Sequence, residues 1–172
     1  PAIANALADS RISDMTSRIP HPYPDNQAES FVFTTRESNH DGKSLGLVIA
    51  PKQKPNSVIG AVSLMAVDSD PTRLTFGYWI AVPQWGNGFG GEAALSMIQT
   101  CFSLSKAEII DATVKPENTA SKRILAKIGF QEMGRESRFM PARQREEVVV
   151  CFRLTRVDWR NGGAWSGFGA AA

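Results

Sequence analysis

The sequence predicts a mixed α/β domain built around a single sheet. Three observations support this class: β-rich runs alternate with helix-period segments, a glycine-rich loop joins the third run to a long helix, and no internal repeat is present. With 172 residues, 42% of them hydrophobic, the chain is long enough to bury one core. We therefore expect one domain over residues 1–160, followed by a flexible Gly/Ala-rich tail over residues 161–172.

The predicted elements follow the order helix, three strands, helix, strand, helix and two strands. Apolar residues at 3.6-residue spacing predict the helices, and β-branched runs between turn residues predict the strands. Three consecutive strands joined by proline-containing turns favour an antiparallel meander. The predicted ranges are helix 25–36, a break at 39–43, strands 44–50, 57–67 and 73–82, helix 88–104, strand 108–114, helix 118–128 ending at Gly129, a strand from Phe130, and a last strand 147–154.

Composition argues against several classes of function. The net charge is +2 and the basic residues are scattered, so no nucleic-acid partner is expected. The apolar stretches are shorter than the ~20 residues that cross a bilayer, so no membrane partner is expected. Cys101 and Cys151 lie in apolar sequence, which favours reduced, buried thiols and a cytoplasmic protein. Neither His21 nor His40 belongs to a cluster with metal-ligand spacing, so no metal cofactor is expected.

A glycine-rich loop at residues 82–92 predicts an anion-binding site. It carries four glycines within the six residues from Gly86 to Gly91, and a helix follows. Glycine lets backbone N–H groups approach a ligand closely, and the start of a helix adds unpaired N–H donors. Phosphate or pyrophosphate is therefore the expected guest, with a tight turn that binds nothing as the alternative.

The same loop matches the dinucleotide fingerprint G-x-G-x-x-G at Gly86, Gly88 and Gly91. Asp111 lies at about the right distance along the chain to bind the ribose in such a site. A dinucleotide-binding oxidoreductase is therefore a remote alternative. Two features disfavour it: the loop follows an antiparallel-looking meander, and Asp111 lies inside a predicted strand instead of at its end.

Four motifs in a fixed order resemble a known family. They are G-Y-W-I at residues 77–80, W-G-N-G-F-G-G-E-A at 85–93, N-T-A-S at 118–121 and G-F at 129–130. Together they resemble the GNAT superfamily, and within it the branch of ribosomal-protein N-terminal acetyltransferases, over residues 19–159. The resemblance implies a central mixed, mostly antiparallel sheet with two splayed strands, flanked by helices. It also implies transfer of acetyl from acetyl-coenzyme A, as cosubstrate, to a primary amine.

The resemblance places the coenzyme between strands 73–82 and 108–114. Its pyrophosphate would lie on the glycine-rich loop, and its pantetheine arm would pair between the two strands like an added strand. The coenzyme-binding residues that the resemblance implies are Ala81, Val82, Trp85, Gly86, Asn87, Gly88, Phe89, Gly90, Gly91, Glu92, Asn118 and Ser121.

Acetyl transfer needs a deprotonated amine, a donor for the oxyanion and a proton for the leaving thiolate. A backbone N–H near Val82 is the candidate oxyanion donor. Many family members use a tyrosine as the acid, where this chain has Leu125. The resemblance implies Ser121 instead, and the alternative is that Ser121 satisfies a backbone group in the first turn of its helix. The glutamate that family members often carry before G-Y-W is Thr75 here, and a second family carboxylate position, after G-F, aligns with Met140. Glu136 is close by and is the candidate base; the alternatives are that it is a solvated strand residue and that a water chain is the base.

The acceptor is expected to be a primary amine, either a protein N-terminus or a small molecule. Residues 19–23 resemble the loop that borders the acceptor site in this branch, so His21 and Tyr23 are candidate substrate contacts, or members of a plain ordered turn. Trp79 and Trp85 would line the acetyl site; the alternative is that they only pack against other apolar side chains. The absent glutamate and tyrosine leave a non-catalytic acyl-coenzyme A-binding or sensing module as the alternative function.

The start of the chain raises a further expectation. Family members usually begin with a strand at the edge of the sheet and then a helix before residue 19, and nothing before Ala2 supplies that strand. An uncovered edge exposes unpaired N–H and C=O groups. We therefore expect either a longer native chain or an edge covered by a second copy, in a homodimer.

Overall fold

A computed structural model of the protein describes residues 2–67 and 70–162. Within them the chain forms six strands and six helices, with one 3-10 turn between the third strand and the fourth helix. The elements are α1 (Ala2–Ala6), α2 (Ser10–Met15), α3 (Gln27–His40), β1 (Ser44–Ile49), β2 (Gly60–Val67), β3 (Asp70–Ile80), the 3-10 turn (Val82–Gln84), α4 (Phe89–Leu104), β4 (Ile109–Val114), α5 (Thr119–Ile128), β5 (Gln131–Met140), β6 (Arg145–Thr155) and α6 (Arg156–Arg160).

The predicted order of the main elements is confirmed, and the differences lie at their ends. Helix α3 runs to His40, two residues into the predicted break, and β2 begins three residues later than predicted, at Gly60. The third predicted strand stops at Ile80 because a 3-10 turn containing Pro83 follows. Gly129 ends α5 in the left-handed conformation, as predicted. Most of the predicted tail, from residue 163, lies outside the described residues.

Three short helices were not predicted from periodicity. Helices α1, α2 and α6 have five or six residues each, which is less than two turns and too short to show a 3.6-residue pattern. Helices α1 and α2 precede Ile19, where the resemblance implies one helix. The domain range 1–160 stays a prediction.

The six strands form one open mixed sheet in the order β1-β2-β3-β4-β6-β5. Every neighbouring pair is antiparallel except β3 and β4, which are parallel and joined by α4. The predicted fold class, a mostly antiparallel sheet flanked by helices, is confirmed. The predicted antiparallel meander of the first three strands is confirmed, but β3, α4 and β4 also form a parallel strand-helix-strand unit around the glycine-rich loop, so the meander alone does not disfavour a dinucleotide site.

The parallel pairing of β3 and β4 stops after four residues. Arg73–Phe76 pair with Ile109–Ala112, but the rest of β3, residues 77–80, has no partner on β4. On its other side β3 stays paired with β2 as far as Ile80, and β4 stays paired with β6 as far as Val114. The inner edges of the two strands therefore separate and leave a gap, which we call the slot.

Side chains on the two faces of the sheet pack into two apolar clusters. The larger cluster lies between the sheet and helices α4 and α5, and Ile98, Ile110 and Leu154 in it are fully buried. The smaller cluster consists of Ile3 of α1, Leu7 just after α1, Ile12 of α2 and Ala28 of α3, with Trp79 of β3 packed against it. Because side chains alternate along a strand, β3 presents Phe76 to the first cluster and Trp79 to the second.

Strand β1 lies at one end of the sheet, and α3 covers part of its outer edge. Asn39 Oδ1 accepts a hydrogen bond from the Gly46 N–H at 2.8 Å, and Asn39 Nδ2 donates to the Gly46 carbonyl at 2.9 Å. A Cβ at Gly46 would lie 2.5 Å from a methyl of Thr35, so only glycine permits this approach of α3. The outer edge is therefore partly satisfied within the chain, and the homodimer stays a prediction.

Arg156, the first residue of α6, holds the C-terminal end of α4 against the sheet. Its guanidinium donates to the carbonyls of Ala107, Phe102 and Ser105 at 2.7–2.8 Å and lies over the Phe102 ring. The last carbonyls of a helix have no intrahelical donor, so the guanidinium satisfies groups that would otherwise need water. This contact fixes the end of α4 that is remote from the glycine-rich loop.

Arg156→Ala should lower the free energy of unfolding by about 2–3 kcal/mol, because it removes several charge-assisted hydrogen bonds at once. Arg160→Ala, an exposed change on the same helix, should cost less than about 0.5 kcal/mol. Urea denaturation measures both values. Equal costs for the two variants would contradict the anchoring role of Arg156.

Candidate active site

The glycine-rich loop leaves the start of α4 without a cap. Gly86 and Gly88 have φ of 79° and 84°, in the left-handed region, and Gly88 is the N-cap of α4 with no side-chain hydrogen bond. Helix α5, in contrast, is capped by the side chain of Asn118, and α6 by Thr155. The first N–H groups of α4, at Phe89, Gly90 and Gly91, therefore remain available to an anion.

The glycines of the loop serve two different purposes. A Cβ at Gly86 or Gly88 would have no other atom within 4 Å, so both residues border open space. A Cβ at Gly90 would lie 3.0 Å from the Tyr78 ring and 3.5 Å from Ile80. Gly90 thus brings α4 close to β3, and a larger side chain there would disturb packing, not only a bound anion.

Trp85 fixes the loop to the end of β3. Its Nε1 donates to the Ile80 carbonyl at 2.7 Å, and its backbone N–H donates to the Val82 carbonyl at 3.1 Å. The ring is 45% exposed, and the guanidinium of Arg11 lies 5.8 Å from its centroid. Asn87 donates to the Trp85 carbonyl at 3.4 Å. Of the remaining predicted coenzyme residues, Ala81 is buried just after β3, and Glu92 is exposed in the first turn of α4.

The start of α5 faces β3 through a pair of hydroxyls. Asn118 Oδ1 accepts a hydrogen bond from the Ser121 N–H at 3.1 Å and caps the helix. The Ser121 hydroxyl lies 2.9 Å from the Tyr78 hydroxyl, and either can donate. Ser121 therefore uses its side chain to contact β3, instead of satisfying a backbone group of its own helix.

Tyr78 is the site residue that sequence reasoning missed. It belongs to the G-Y-W motif, and the sequence alone gives it no role of its own. The alternation of side chains along β3 puts Tyr78 on the same face as Phe76, whose ring centroid lies 5.9 Å from that of Tyr78. Burial raises the pKa of the Tyr78 hydroxyl above its usual value, so it stays protonated at neutral pH.

Two predicted acceptor residues, Tyr23 and Trp79, and the predicted oxyanion donor Val82 lie on the face of β3 opposite Tyr78. Tyr23, Trp79 and Val82 are partly buried and pack against the smaller apolar cluster. Burial also raises the pKa of Tyr23. His21 is exposed in the same loop. The structure therefore brings Tyr23, Trp79 and Val82 together, with His21 nearby in the chain.

Glu136 lies apart from these residues, on β5 at the far end of the sheet. Strands β4 and β6 separate β5 from β3, a distance of roughly 14 Å at the usual strand spacing. The Glu136 carboxylate forms an ion pair with Arg138, which lowers its pKa, and the Cys151 thiol contributes in the same direction. Burial and the neighbouring Glu136 carboxylate raise the pKa of Cys151 to about 11, so this thiol is not a nucleophile at neutral pH.

The turn between β5 and β6 is attached to the segment after α2. Arg143 donates to the carbonyls of Ser13 and Thr16 at 2.7 and 2.8 Å and forms an ion pair with Glu147. Glu147 also pairs with Lys115 at 2.7 Å, just beyond β4, and these cations lower its pKa to about 2. The segment leading to residues 19–23 is therefore held beside the ends of β4 and β6.

The described residues contain neither a helix suited to crossing a membrane nor a cluster of metal-ligating side chains. No helix among residues 2–67 and 70–162 has the length and apolar character needed to cross a membrane. Over the same residues, His, Cys, Asp and Glu side chains form no group of three or more that would hold a metal ion.

Comparison with known proteins decides the family. Residues 1–131 match the model of the acetyltransferase (GNAT) domain. The chain belongs to this family. It is therefore an acetyl-coenzyme A-dependent N-acetyltransferase, and the dinucleotide alternative is not supported. A relative from Bacillus licheniformis, the uncharacterized N-acetyltransferase p20, is 28% identical over 139 residues, which are 80% of this chain and 78% of the relative.

Solved structures agree on the fold. The ribosomal-protein-S5-alanine acetyltransferase of Vibrio fischeri has a TM-score of 0.78 at 20% identity, and the match covers 92% of this chain and 88% of that chain. A spermidine N-acetyltransferase of Vibrio cholerae, in complex with coenzyme A and spermine, has a TM-score of 0.73 at 21% identity, covering 92% and 90%. The fold is thus shared by enzymes whose names specify different amines.

Gly88→Ala should weaken the binding of acetyl-coenzyme A by about tenfold or more, because a Cβ would stand among the loop N–H groups. The matched control is Gly42→Ala, in the turn between α3 and β1. Gly42 also has a positive φ, 69°, and open space around its Cβ position.

Both substitutions should cost about 1–2 kcal/mol of stability through backbone strain alone. Isothermal titration calorimetry separates the two effects, since only Gly88→Ala should change the affinity. Equal affinities for the two variants would contradict the anion cradle.

Proposed function

We propose that the enzyme binds acetyl-coenzyme A across the mouth of the slot and transfers the acetyl group directly to a primary amine on the far side of the sheet. One observation carries the proposal: the slot between β3 and β4 opens beside an uncapped, glycine-rich helix start. The slot offers unpaired backbone groups to the pantetheine amides, and the helix start offers N–H groups to the pyrophosphate.

The residues that would contact the coenzyme come from three places: the glycine-rich loop with the start of α4, the stretch after β3, and the start of α5. The pyrophosphate would contact the backbone of Gly86, Asn87 and Gly88 and the first turn of α4, where the helix dipole favours an anion. Ala81 and Val82, after β3, would face the pantetheine arm, with Trp85 holding this stretch in place. Asn118 would contact the coenzyme from the start of α5. A resident metal is not part of this proposal.

The thioester carbonyl would lie at the end of β3, close to Val82. Val82 is the first residue of the 3-10 turn, and among the described residues no backbone carbonyl accepts a hydrogen bond from its N–H. This N–H would stabilise the oxyanion that forms when the amine attacks the carbonyl. The carbon–sulfur bond then breaks, and the amine loses its proton.

Ser121 would protonate the departing thiolate of coenzyme A. The serine hydroxyl gives its proton to the sulfur and takes one from water, directly or through the Tyr78 hydroxyl 2.9 Å away, which regains its own proton from water in the same relay. A serine alone is a weak acid, and a buried phenol in contact with it supplies a neighbouring donor. The hydroxyl pair therefore takes the place of the tyrosine that is absent at Leu125.

Solvent is the base in this proposal. The Glu136 carboxylate is ion-paired with Arg138, and its lowered pKa makes it a weak proton acceptor.

The amine would approach from the face that carries Trp79 and Tyr23, with His21 at the entrance. The acceptor would be a protein N-terminus or a small amine, the two kinds named among the solved structures. Free cysteines at 101 and 151 support a cytoplasmic location.

The proposal is tested by ligand-dependent stability and by turnover. Acetyl-coenzyme A at about 100 times its Kd should stabilise the protein by about 2.7 kcal/mol, whereas NADP should not change the melting temperature. Release of free thiol from acetyl-coenzyme A should then depend on an added amine. Binding without thiol release for any amine would indicate a non-catalytic acyl-coenzyme A module instead.

Ser121→Ala should lower kcat by about 100-fold while the KM for acetyl-coenzyme A changes by less than about threefold, because the hydroxyl acts mainly in the transition state. Tyr78→Phe removes only the partner hydroxyl and should lower kcat by about tenfold. In the double variant, Tyr78→Phe should have no further effect, since it acts through Ser121.

The matched control is Ser105→Ala, which removes a hydroxyl at the other end of α4. It should leave kcat unchanged. If the effects of Ser121→Ala and Tyr78→Phe add fully in the double variant, the two hydroxyls do not act as a unit.

A further inference from the structure

The indole of Trp85 lies at the mouth of the slot, against the inner edge of β3. The Ala81 N–H donates to the Ile59 carbonyl, on the β2 side of the strand, at 2.8 Å. A trans peptide unit directs its C=O and N–H groups to opposite sides, so the Ile80 carbonyl points away from β2, into the slot. Trp85 Nε1 donates to that carbonyl at 2.7 Å. The indole therefore fills a position where the next strand of a continuous sheet would lie.

The same hydrogen bond places the indole beside the proposed oxyanion donor. Only Ala81 separates the Ile80 carbonyl from the Val82 N–H, and its φ of −58° and ψ of 136° keep the chain nearly extended there. Extended chain advances about 3.3 Å per residue, so the indole nitrogen lies within several ångströms of that N–H. The Trp85 backbone N–H also donates to the Val82 carbonyl, at 3.1 Å. A thioester bound at the Val82 N–H would therefore have the indole ring as a neighbour.

Arg11 of α2 holds the ring in one orientation. Its guanidinium lies 5.8 Å from the centroid of the Trp85 ring, within the distance of about 6 Å at which a cation attracts an aromatic face. Nε and Nη2 of Arg11 donate to the two carboxylate oxygens of Asp9 at 2.9 and 2.7 Å. This pairing lowers the pKa of Asp9 to about 2, so both groups stay charged at neutral pH. The ring is thus fixed at its N–H edge and over one face.

The Trp85 ring is only partly covered by the protein. Trp85 is 45% exposed, and among the described residues the two apolar clusters do not include it. Trp79 of β3, in contrast, is packed against the smaller cluster. A large aromatic side chain that is held rigidly beside a binding site offers a flat apolar surface to a ligand. The uncovered surface of Trp85 is therefore available to the acyl group of a bound thioester.

We infer that the Trp85 indole forms a wall of the acyl site and limits the transferred acyl group to the length of acetyl. This inference rests on the proposed function of the slot and narrows its donor substrate. The methyl of an acetyl group would end against the ring, whereas propionyl and butyryl groups would have to displace it. Displacement would break the hydrogen bond to the Ile80 carbonyl and separate the ring from Arg11. Longer acyl groups are therefore disfavoured relative to acetyl.

The test compares acetyl-, propionyl- and butyryl-coenzyme A with one amine, by release of free thiol. The amine is spermidine or a tetrapeptide with a free N-terminus, whichever gives the higher rate with acetyl-coenzyme A. In the unmodified enzyme kcat/KM should fall by about tenfold or more for each added methylene, since a pocket discriminates one methylene by roughly 10–200-fold. Trp85→Ala should raise the ratio of butyryl to acetyl kcat/KM by about tenfold or more. Trp85→Phe, with a smaller ring and no N–H, should raise it by about threefold.

The ratio separates a wall from a merely structural role of Trp85. The three thioesters share the coenzyme, so loss of loop order or of pyrophosphate affinity would lower all three values alike and leave the ratio unchanged. Isothermal titration calorimetry without amine gives the same comparison at equilibrium. Trp85→Ala should bring the Kd of butyryl-coenzyme A about tenfold closer to that of acetyl-coenzyme A. This measurement decides the inference even where a variant has no measurable turnover.

Arg11→Gln tests whether the ring must be held in place to act as a wall. Arg11 is exposed, and its backbone N–H, which donates to Asp9, is unchanged, so the melting temperature should not fall. Loss of the cation should free the ring and raise the butyryl-to-acetyl ratio by about threefold. Arg11→Lys keeps a cation over the ring and should stay close to the unmodified ratio. Arg36→Gln, on the exposed surface of α3, is the matched control and should not change it.

Two results would overturn the inference while the proposed function stands. One is an unmodified enzyme that uses butyryl- and acetyl-coenzyme A equally well, and the other is a Trp85→Ala variant with an unchanged ratio in both measurements. Absence of thiol release from acetyl-coenzyme A with every amine would overturn the proposed function instead, and calorimetry would still report on the wall.

Discussion

The parallel ladder between β3 and β4 stops after four residue pairs, and the geometry of the site depends on this stop. Both strands continue, each held on its outer side by an antiparallel neighbour. Their inner N–H and C=O groups consequently lack the partners that a continuous sheet would supply, and buried backbone groups need partners. The connection between parallel strands must cross over, and here α4 makes the crossover. The same topology that creates the slot thus brings a helix start to its mouth.

Two side-chain contacts set the width of the slot. At the closed end, Asp111 of β4 receives Arg73 from β3 and Arg153 from β6, so one carboxylate joins three strands. At the open end, Tyr78 of β3 contacts Ser121 of α5, which follows β4 in the chain. The strands are therefore connected before and after they separate. This arrangement keeps the separation fixed without the backbone hydrogen bonds that normally fix strand spacing.

The elements and the glycine-rich loop could be predicted from sequence because their signals are local. Residues 82–92 carry their glycines within one loop, and the capping and periodicity of α4 and α5 lie within a few residues. The contact between Tyr78 and Ser121 joins residues 43 positions apart. It depends on which face of β3 meets which side of α5, and no local pattern specifies that.

The same limit explains the other differences. The glycine run predicts an anion-binding role for Gly90 but not its packing role, in which its Cβ position faces the Tyr78 ring. Glu136 is a candidate base because it lies close in sequence to the G-F motif, but the order β4-β6-β5 places it two strands from β4. Strand order is a long-range property, since the fifth strand lies outside the sixth. Functional assignments that require it need a structure.

The hydrogen bonds between the Asn39 side-chain amide and Gly46 also affect the chain during its synthesis. Asn39 and Gly46 are seven residues apart, so the corner between α3 and β1 can close as soon as both have left the ribosome. Contacts of such short sequence separation form early, before the distant strands β4 to β6 exist. The nascent N-terminal half would then carry a strand edge that is already occupied at Gly46. Neighbouring chains on the same messenger would find fewer free backbone groups there with which to associate.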